Sequence, residues 1–74
     1  MRCKIKLVWD KKSEVWIATS QDVPGLILES ESLDVLINKV RTAIPELIEL
    51  NGTKHREYSL LYETERTDKV YAYG

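Results

Sequence analysis

The sequence has few of the residues that small domains use for disulfide or metal stabilisation. It contains one cysteine, Cys3, and one histidine, His55, in 74 residues. A lone cysteine cannot form a disulfide within the chain, and one Cys with one His can form a zinc site only if carboxylates supply the remaining ligands. No apolar run approaches the ~20 residues of a membrane span, and the basic N-terminus has no apolar segment of the signal-peptide kind after it. We therefore expect a cytoplasmic protein without metal, cofactor or membrane segment.

An excess of one charge is also missing. Eleven Lys and Arg residues face twelve Asp and Glu, which gives a formal net charge of −1. Proteins that bind nucleic acid usually carry a strongly basic face, so we expect no direct DNA binding. A chain of this length forms a single domain, residues 1–74, and buries only about 60% of its unfolded surface. Self-association often compensates for such a small core, so we expect a homodimer.

The N-terminal third has the pattern of β-strands. Residues 2–9 alternate, with Cys3, Ile5, Leu7 and Trp9 on one side, which predicts a half-buried strand. The polar segment 10–14 suits a hairpin turn into a second strand over 15–20. Residues 22–25, Asp-Val-Pro-Gly, predict a type II turn before a short third strand at 26–29.

From Leu33 onwards the apolar period changes to that of a helix. The apolar residues fall within an arc of about 140° at 100° per residue, and they are Leu33, Leu36, Ile37, Val40, Ala43, Ile44, Leu47 and Ile48. Ser32 is the expected N-cap and Asn51-Gly52 the expected end. Because the apolar phase continues through Pro45, we predict one bent helix instead of two.

The C-terminal part predicts two further strands. Residues 58–63 and 70–73 are rich in Tyr, Leu and Val, and the polar segment 64–69 between them indicates a hairpin. The predicted fold is therefore α+β, an antiparallel sheet with one long amphipathic helix on one face, in the order β-β-β-α-β-β.

Carboxylates are the only candidate catalytic groups present in number. Asp10, Glu14, Asp22 and Asp34 lie at the ends of predicted strands or of the helix, where catalytic acids are often placed but where turns and caps also need acids. We favour the structural interpretation and expect no enzyme. The basic strand residues Arg2, Lys4 and Lys6 could contact nucleic acid or an acidic partner, but a solvated strand face is the simpler interpretation.

A run of motifs resembles the HicB-like antitoxin family. These motifs are Val8-Trp9-Asp10, Val15-Trp16-Ile17-Ala18, Asp22-Val23-Pro24-Gly25-Leu26 and Pro45-Glu46-Leu47-Ile48-Glu49. The resemblance covers residues 3–52 well. Within the family, the sequence is similar above all to short stand-alone members of uncharacterised function. It implies a partial ribonuclease H-like fold and the capture of a small toxin that cleaves messenger RNA. The DNA-binding segment that full antitoxins append has no counterpart after Gly52.

This resemblance implies a non-enzymatic protein-interaction module. A basic RNA-binding toxin would be attracted to the acidic residues Glu29, Glu31 and Asp34. Trp16 belongs either to the core or, if it faces outward, to a dimer interface, because indoles often anchor such contacts. The alternative hypothesis is an orphan homodimeric domain that has no toxin partner.

Overall fold

A computed structural model describes residues 1–73 as a four-stranded sheet with one helix on one face. The strands are β1 (Arg2–Asp10), β2 (Val15–Thr19), β3 (Ile27–Ser30) and β4 (Ser59–Glu65), and the helix is α1 (Leu33–Leu50). The spatial order of the strands is β3-β2-β1-β4. The predicted α+β class is confirmed, and so are the first three strands and the single helix.

Local turn chemistry sets the path of the first three strands. β1 and β2 are antiparallel, and Asp10 Oδ1 accepts a hydrogen bond from Lys12 N at 3.0 Å at the start of their turn. At the next corner, Leu26 N donates to Val23 O at 3.2 Å, and Gly25 has a φ of +86°. A type II turn needs a positive φ at this position, which glycine adopts without steric cost. The predicted turn is confirmed.

The helix begins and ends at the predicted signals. Ser32 Oγ accepts a hydrogen bond from Val35 N at 3.3 Å, which makes Ser32 the N-cap. At the other end, Gly52 N donates to Glu49 O at 2.9 Å, and Gly52 has a φ of +88°. Pro45 lies inside this one continuous helix. Within residues 1–73, no helix has the length and apolar character needed to cross a membrane.

The core lies between α1 and one face of the sheet. The helix contributes Leu36, Val40, Ile44 and Ile48, and the strands contribute Cys3, Ile5, Leu7 and Ala18. Val23 and Leu26, from the corner before β3, complete the buried set. The predicted apolar arc is therefore the buried face of the helix, while Leu33, Ile37, Ala43 and Leu47 border it.

The fourth strand corrects the prediction of a purely antiparallel sheet. β4 pairs with β1 in parallel, with Cys3 opposite Leu60 and Ile5 opposite Tyr62. The reason is the path of the chain. β3 runs in the direction of β1, and α1 returns the chain to the end where β1 begins. At that end Ser59 N donates to Met1 O at 2.8 Å. A strand that starts there is parallel to β1, and the sheet is mixed.

The predicted fifth strand is wrong. β4 continues to Glu65, so it occupies the beginning of the segment that was predicted to be the hairpin turn. Arg66 then stacks over the Trp9 ring, with its guanidinium carbon 4.3 Å from the ring centroid. Residues 66–73, here called the C-terminal arm, do not fold back on β4 and form no strand. Val70 and Tyr73 are 92% and 94% exposed.

Candidate functional site

The side of the sheet that faces away from α1, here called the outer face, is uncovered. It carries the exposed apolar side chains of Ile27 and Leu61 and the half-buried Val8 and Ile17. Leu61 is 56% exposed and Ile27 is 74% exposed. An uncovered sheet face with apolar residues is a surface on which another protein can bind.

The basic residues of β1 lie on the same outer face, and acids of β4 accompany two of them. Lys4 Nζ is 3.8 Å from Glu63 Oε1, and Lys6 Nζ is 3.7 Å from Glu65 Oε2. Exposed pairs of this kind stabilise a fold little. The two glutamates offset the positive charge of Lys4 and Lys6 on β1. This charge balance agrees better with a solvated strand face than with a surface that binds nucleic acid.

The three acids predicted to bind a partner lie at one corner of the molecule. Glu29 belongs to the edge strand β3, Glu31 follows it, and Asp34 lies in the first turn of α1. All three are exposed, and we call them the acidic corner. The nearby cation Lys39 donates to the carbonyl oxygen of Glu29 at 3.3 Å. The carboxylates therefore lie beside the unpaired edge of β3, where a partner can reach them.

Trp16 lies beside this corner in the sheet, but its ring faces the helix side. Its register partner is Ser30, which stands between Glu29 and Glu31. The Trp16 ring packs against the core and meets the Trp9 ring edge to face, with 5.4 Å between the centroids. The outward orientation that would make Trp16 an anchor on the outer face is therefore not present.

The two aspartates that precede turns have structural hydrogen bonds. Asp10 holds the β1–β2 turn, as described above, and Asp22 Oδ2 accepts from Lys4 N at 2.8 Å. Ser20 Oγ donates to Lys4 O at 2.6 Å and accepts from Asp22 N at 3.1 Å. Asp22 and Ser20 thus fix the start of β1 to the loop after β2. These contacts agree with the structural interpretation of the carboxylates.

The remaining nucleophilic or basic groups are packed against apolar neighbours. Cys3 is 2% exposed, and burial, followed by the charge of Asp22, raises the pKa of its thiol. His55 meets Tyr58 edge to face at 5.6 Å. Burial also raises the pKa of Tyr62, whose hydroxyl is buried without a hydrogen-bond partner in the structure. Cys3 is therefore a small core residue, as predicted.

Two features of this surface were not anticipated from the sequence. One is Arg66, which lies over Trp9 and is 5.7 Å from the centroid of Trp16. The other is the exposed C-terminal arm. The apolar alternation of residues 70–73 indicated a strand, but the structure places no strand there.

Together, the fold and its uncovered surfaces define a small α+β domain with one helix on a four-stranded mixed sheet. A family model described as a domain of unknown function, DUF1902, matches residues 2–73, so the chain belongs to this family. It is similar to the crystal structure of the hypothetical protein TTHA1013 from the extremely thermophilic bacterium Thermus thermophilus. The two chains are 35% identical and superpose with a TM-score of 0.80, over 95% of this chain and 100% of the other. No curated protein matches the sequence.

Proposed function

We propose that the protein is a non-enzymatic protein-interaction module that binds and neutralises a small, basic toxin that cleaves messenger RNA, as the resemblance to HicB-like antitoxins implies. The observation that carries this proposal is the acidic corner. Glu29, Glu31 and Asp34 are exposed together beside the unpaired edge of β3. An edge strand can pair with a strand of another protein, and adjacent acids attract a basic one.

The acidic corner differs in charge from the outer face of the sheet, and this difference supports it as the binding site of a basic partner. Opposite charges are interspersed on the outer face, as the Lys4–Glu63 and Lys6–Glu65 pairs show. At the acidic corner, by contrast, the ammonium group of Lys39 is directed to the main-chain oxygen of Glu29. A basic partner can therefore approach three carboxylates, and its association should be fast and sensitive to salt.

The same proposal includes a homodimer. The uncovered outer face, with Ile27 and Leu61 exposed, supports it. A stable interface buries roughly 800 Å² on each partner, which a small domain can supply from one sheet face or edge. The second candidate function is an orphan homodimer without a toxin. It is favoured by the exposed apolar side chains of the C-terminal arm, which lie far from the acidic corner along the chain.

The absence of catalysis is also part of the proposal. Purified protein with magnesium or manganese should cut neither RNA nor an RNA–DNA hybrid above the buffer rate. Support comes from Asp10 and Asp22, whose carboxylates accept main-chain hydrogen bonds. Cleavage that disappeared in Asp10→Asn would contradict the structural interpretation of these acids.

Toxin binding can be tested by calorimetry with each small basic protein that a neighbouring gene encodes. The corner variant changes Glu29→Gln, Glu31→Gln and Asp34→Asn together. A matched control makes the same change of charge elsewhere, at Glu14→Gln, Glu46→Gln and Glu49→Gln, which are exposed. We expect the Kd to rise at least tenfold in the corner variant, to stay within twofold in the control, and to rise with salt in the parent protein. Equal affinities in the two variants would contradict the proposed surface.

A further inference from the structure

We propose that the C-terminal arms of two copies are exchanged, so that residues 59–73 of one copy form an antiparallel ribbon with residues 59–73 of the other. This inference rests on the homodimer of the proposed function and names the segment that builds it. The two sheets would then join at β4 into one continuous sheet of eight strands.

The C-terminal arm is extended and has unused main-chain hydrogen-bonding groups. The molecule measures 59 × 20 × 18 Å along its principal axes. Fifteen extended residues span roughly 50 Å, so the long axis agrees with an arm that continues along the direction of β4. No backbone–backbone hydrogen bond involves residues 66–73 in the part of the chain that the structure describes. The arm therefore has unused main-chain donors and acceptors that a neighbouring strand can satisfy.

The free edge of β4 is adjacent to the arm. β4 lies at the end of the sheet and pairs only with β1 among the described strands. Its seven residues match residues 67–73 of the arm in number, whereas the opposite edge strand, β3, has four. Because β4 leads directly into the arm, two copies related by a twofold axis place each arm beside the other's β4 at the same time. A contact of this kind closes on itself and forms a dimer.

The residue types in 59–73 favour one register between the two copies. With the twofold axis at Arg66, residues whose numbers are equally far from 66 lie opposite each other. Leu61 then faces Tyr71 and Glu63 faces Lys69 on the outer face, while Tyr62 faces Val70 on the helix side. Directly opposed apolar and oppositely charged side chains are the favourable pairs of antiparallel strands. Moving the axis one position towards the C-terminus places Glu63 opposite Tyr71. A shift of half a position would direct opposed side chains to opposite faces of the ribbon.

The exchange accounts for two further features of the chain. Arg66 meets its own copy at the axis, and its guanidinium is already held over Trp9, 4.3 Å from the ring centroid, so the two charges are turned away from the ribbon. The segments that the sequence pattern predicted as a hairpin, residues 58–63 and 70–73, are paired in this arrangement, but between copies. The family model extends to residue 73, so the arm is part of the shared family domain.

The first test measures the mass of the full chain by light scattering. We expect twice the 8.6 kDa of one chain at micromolar concentration. Val70→Pro with Tyr71→Pro removes two N–H groups, one of which faces the partner strand, from a segment with no backbone bonds in its own copy. This variant should keep the folded circular-dichroism spectrum while its dimer Kd rises at least tenfold. The control Val70→Ile with Tyr71→Phe keeps both N–H groups and should remain dimeric.

The second test reads the register with cysteines. Glu63→Cys with Lys69→Cys should oxidise to a disulfide between copies, because the two positions are about 20 Å apart along one extended chain. Tyr62→Cys with Val70→Cys tests an opposed pair on the helix side of the ribbon. Glu63→Cys with Val70→Cys is the control, since these two residues point to opposite faces.

The outcomes separate this inference from the proposed function. A strict monomer would overturn both the dimer and the exchange. A dimer that survives the proline changes, or that forms no cross-link at either opposed pair, would overturn the exchange and leave a homodimer built on another surface. A disulfide within one chain would show a hairpin and overturn the exchange. Loss of toxin binding alone would leave the exchange standing, because the acidic corner is not part of the ribbon.

Discussion

Val40 provides the sharpest test of the packing of the helix on the sheet. Its side chain is fully buried at the centre of the apolar face of α1. Val40→Ala removes two methyl groups, each worth about 0.8 kcal/mol of burial. A residual cavity on the order of 30 Å³ adds roughly 0.7 kcal/mol, and the better helix propensity of alanine returns roughly 0.5 kcal/mol. We expect a loss of about 2 kcal/mol in the free energy of unfolding.

Val35 supplies a matched control on the same helix. It is 47% exposed, so Val35→Ala makes the same chemical change with little loss of burial and should leave stability unchanged or slightly higher. Urea unfolding followed by circular dichroism gives both values, and Tm should fall by roughly 10 °C in the Val40 variant only. Protein concentration must be equal in all samples because dimerisation adds to stability. Equal midpoints for the two variants would refute the helix-on-sheet packing.

Three further predictions concern the cap and the buried titratable groups. Ser32→Ala should cost about 1 kcal/mol in urea unfolding because Val35 N loses its acceptor, and an unchanged midpoint would show that the cap does not matter. Tyr62→Phe should not destabilise the protein, because the buried hydroxyl has no partner in the structure; a loss above about 1 kcal/mol would reveal a missed hydrogen bond. Burial raises the pKa of both Cys3 and Tyr62, so their stabilising contribution is full below the unfolded pKa values and is lost as the pH rises through the folded ones. Urea midpoints should therefore fall from about pH 8.5 for Cys3 and further above about pH 10 for Tyr62. The fall above about pH 10 should be smaller in Tyr62→Phe than in the parent, and a rising midpoint would contradict the sign.

The parts of the fold that depend on local signals could be predicted from the sequence. Ser32, Gly25 and Gly52 mark the cap and the turns because only a few residue types satisfy the backbone there. The period of the apolar residues identified both the first strand and the buried face of α1. Pro45 did not end the helix, since the burial of Ile44 and Ile48 on either side of it outweighs the one hydrogen bond it removes.

The features that depend on long-range pairing could not be predicted in the same way. The pattern of residues 58–63 indicates a strand but does not say that its neighbour is β1, 57 residues earlier in the case of Arg2 and Ser59. The same limit applies to residues 70–73. Their alternation indicates a strand, but β4 continues to Glu65, through the beginning of the predicted turn, and residues 70–73 form no strand in the structure.

The candidate site was predictable in composition and not in orientation. Glu29, Glu31 and Asp34 are close in sequence and could be assigned to one corner because a short strand leads directly into a capped helix. The orientation of Trp16 was open, since both sides of the second strand carry apolar residues. Only the register of β2 with β1, which sets Trp16 opposite Trp9, places its ring on the helix side.

The central claim is that this chain neutralises a toxin, and an RNA-cleavage assay tests it most directly. Each small basic protein that a neighbouring gene encodes is incubated with a messenger RNA transcript while the chain is added in increasing amounts. We predict that cleavage falls as the chain approaches one equivalent, and that the variant with Glu29→Gln, Glu31→Gln and Asp34→Asn requires at least tenfold more. Cleavage that continues at the full rate in the presence of a tenfold excess of the parent chain would contradict the claim.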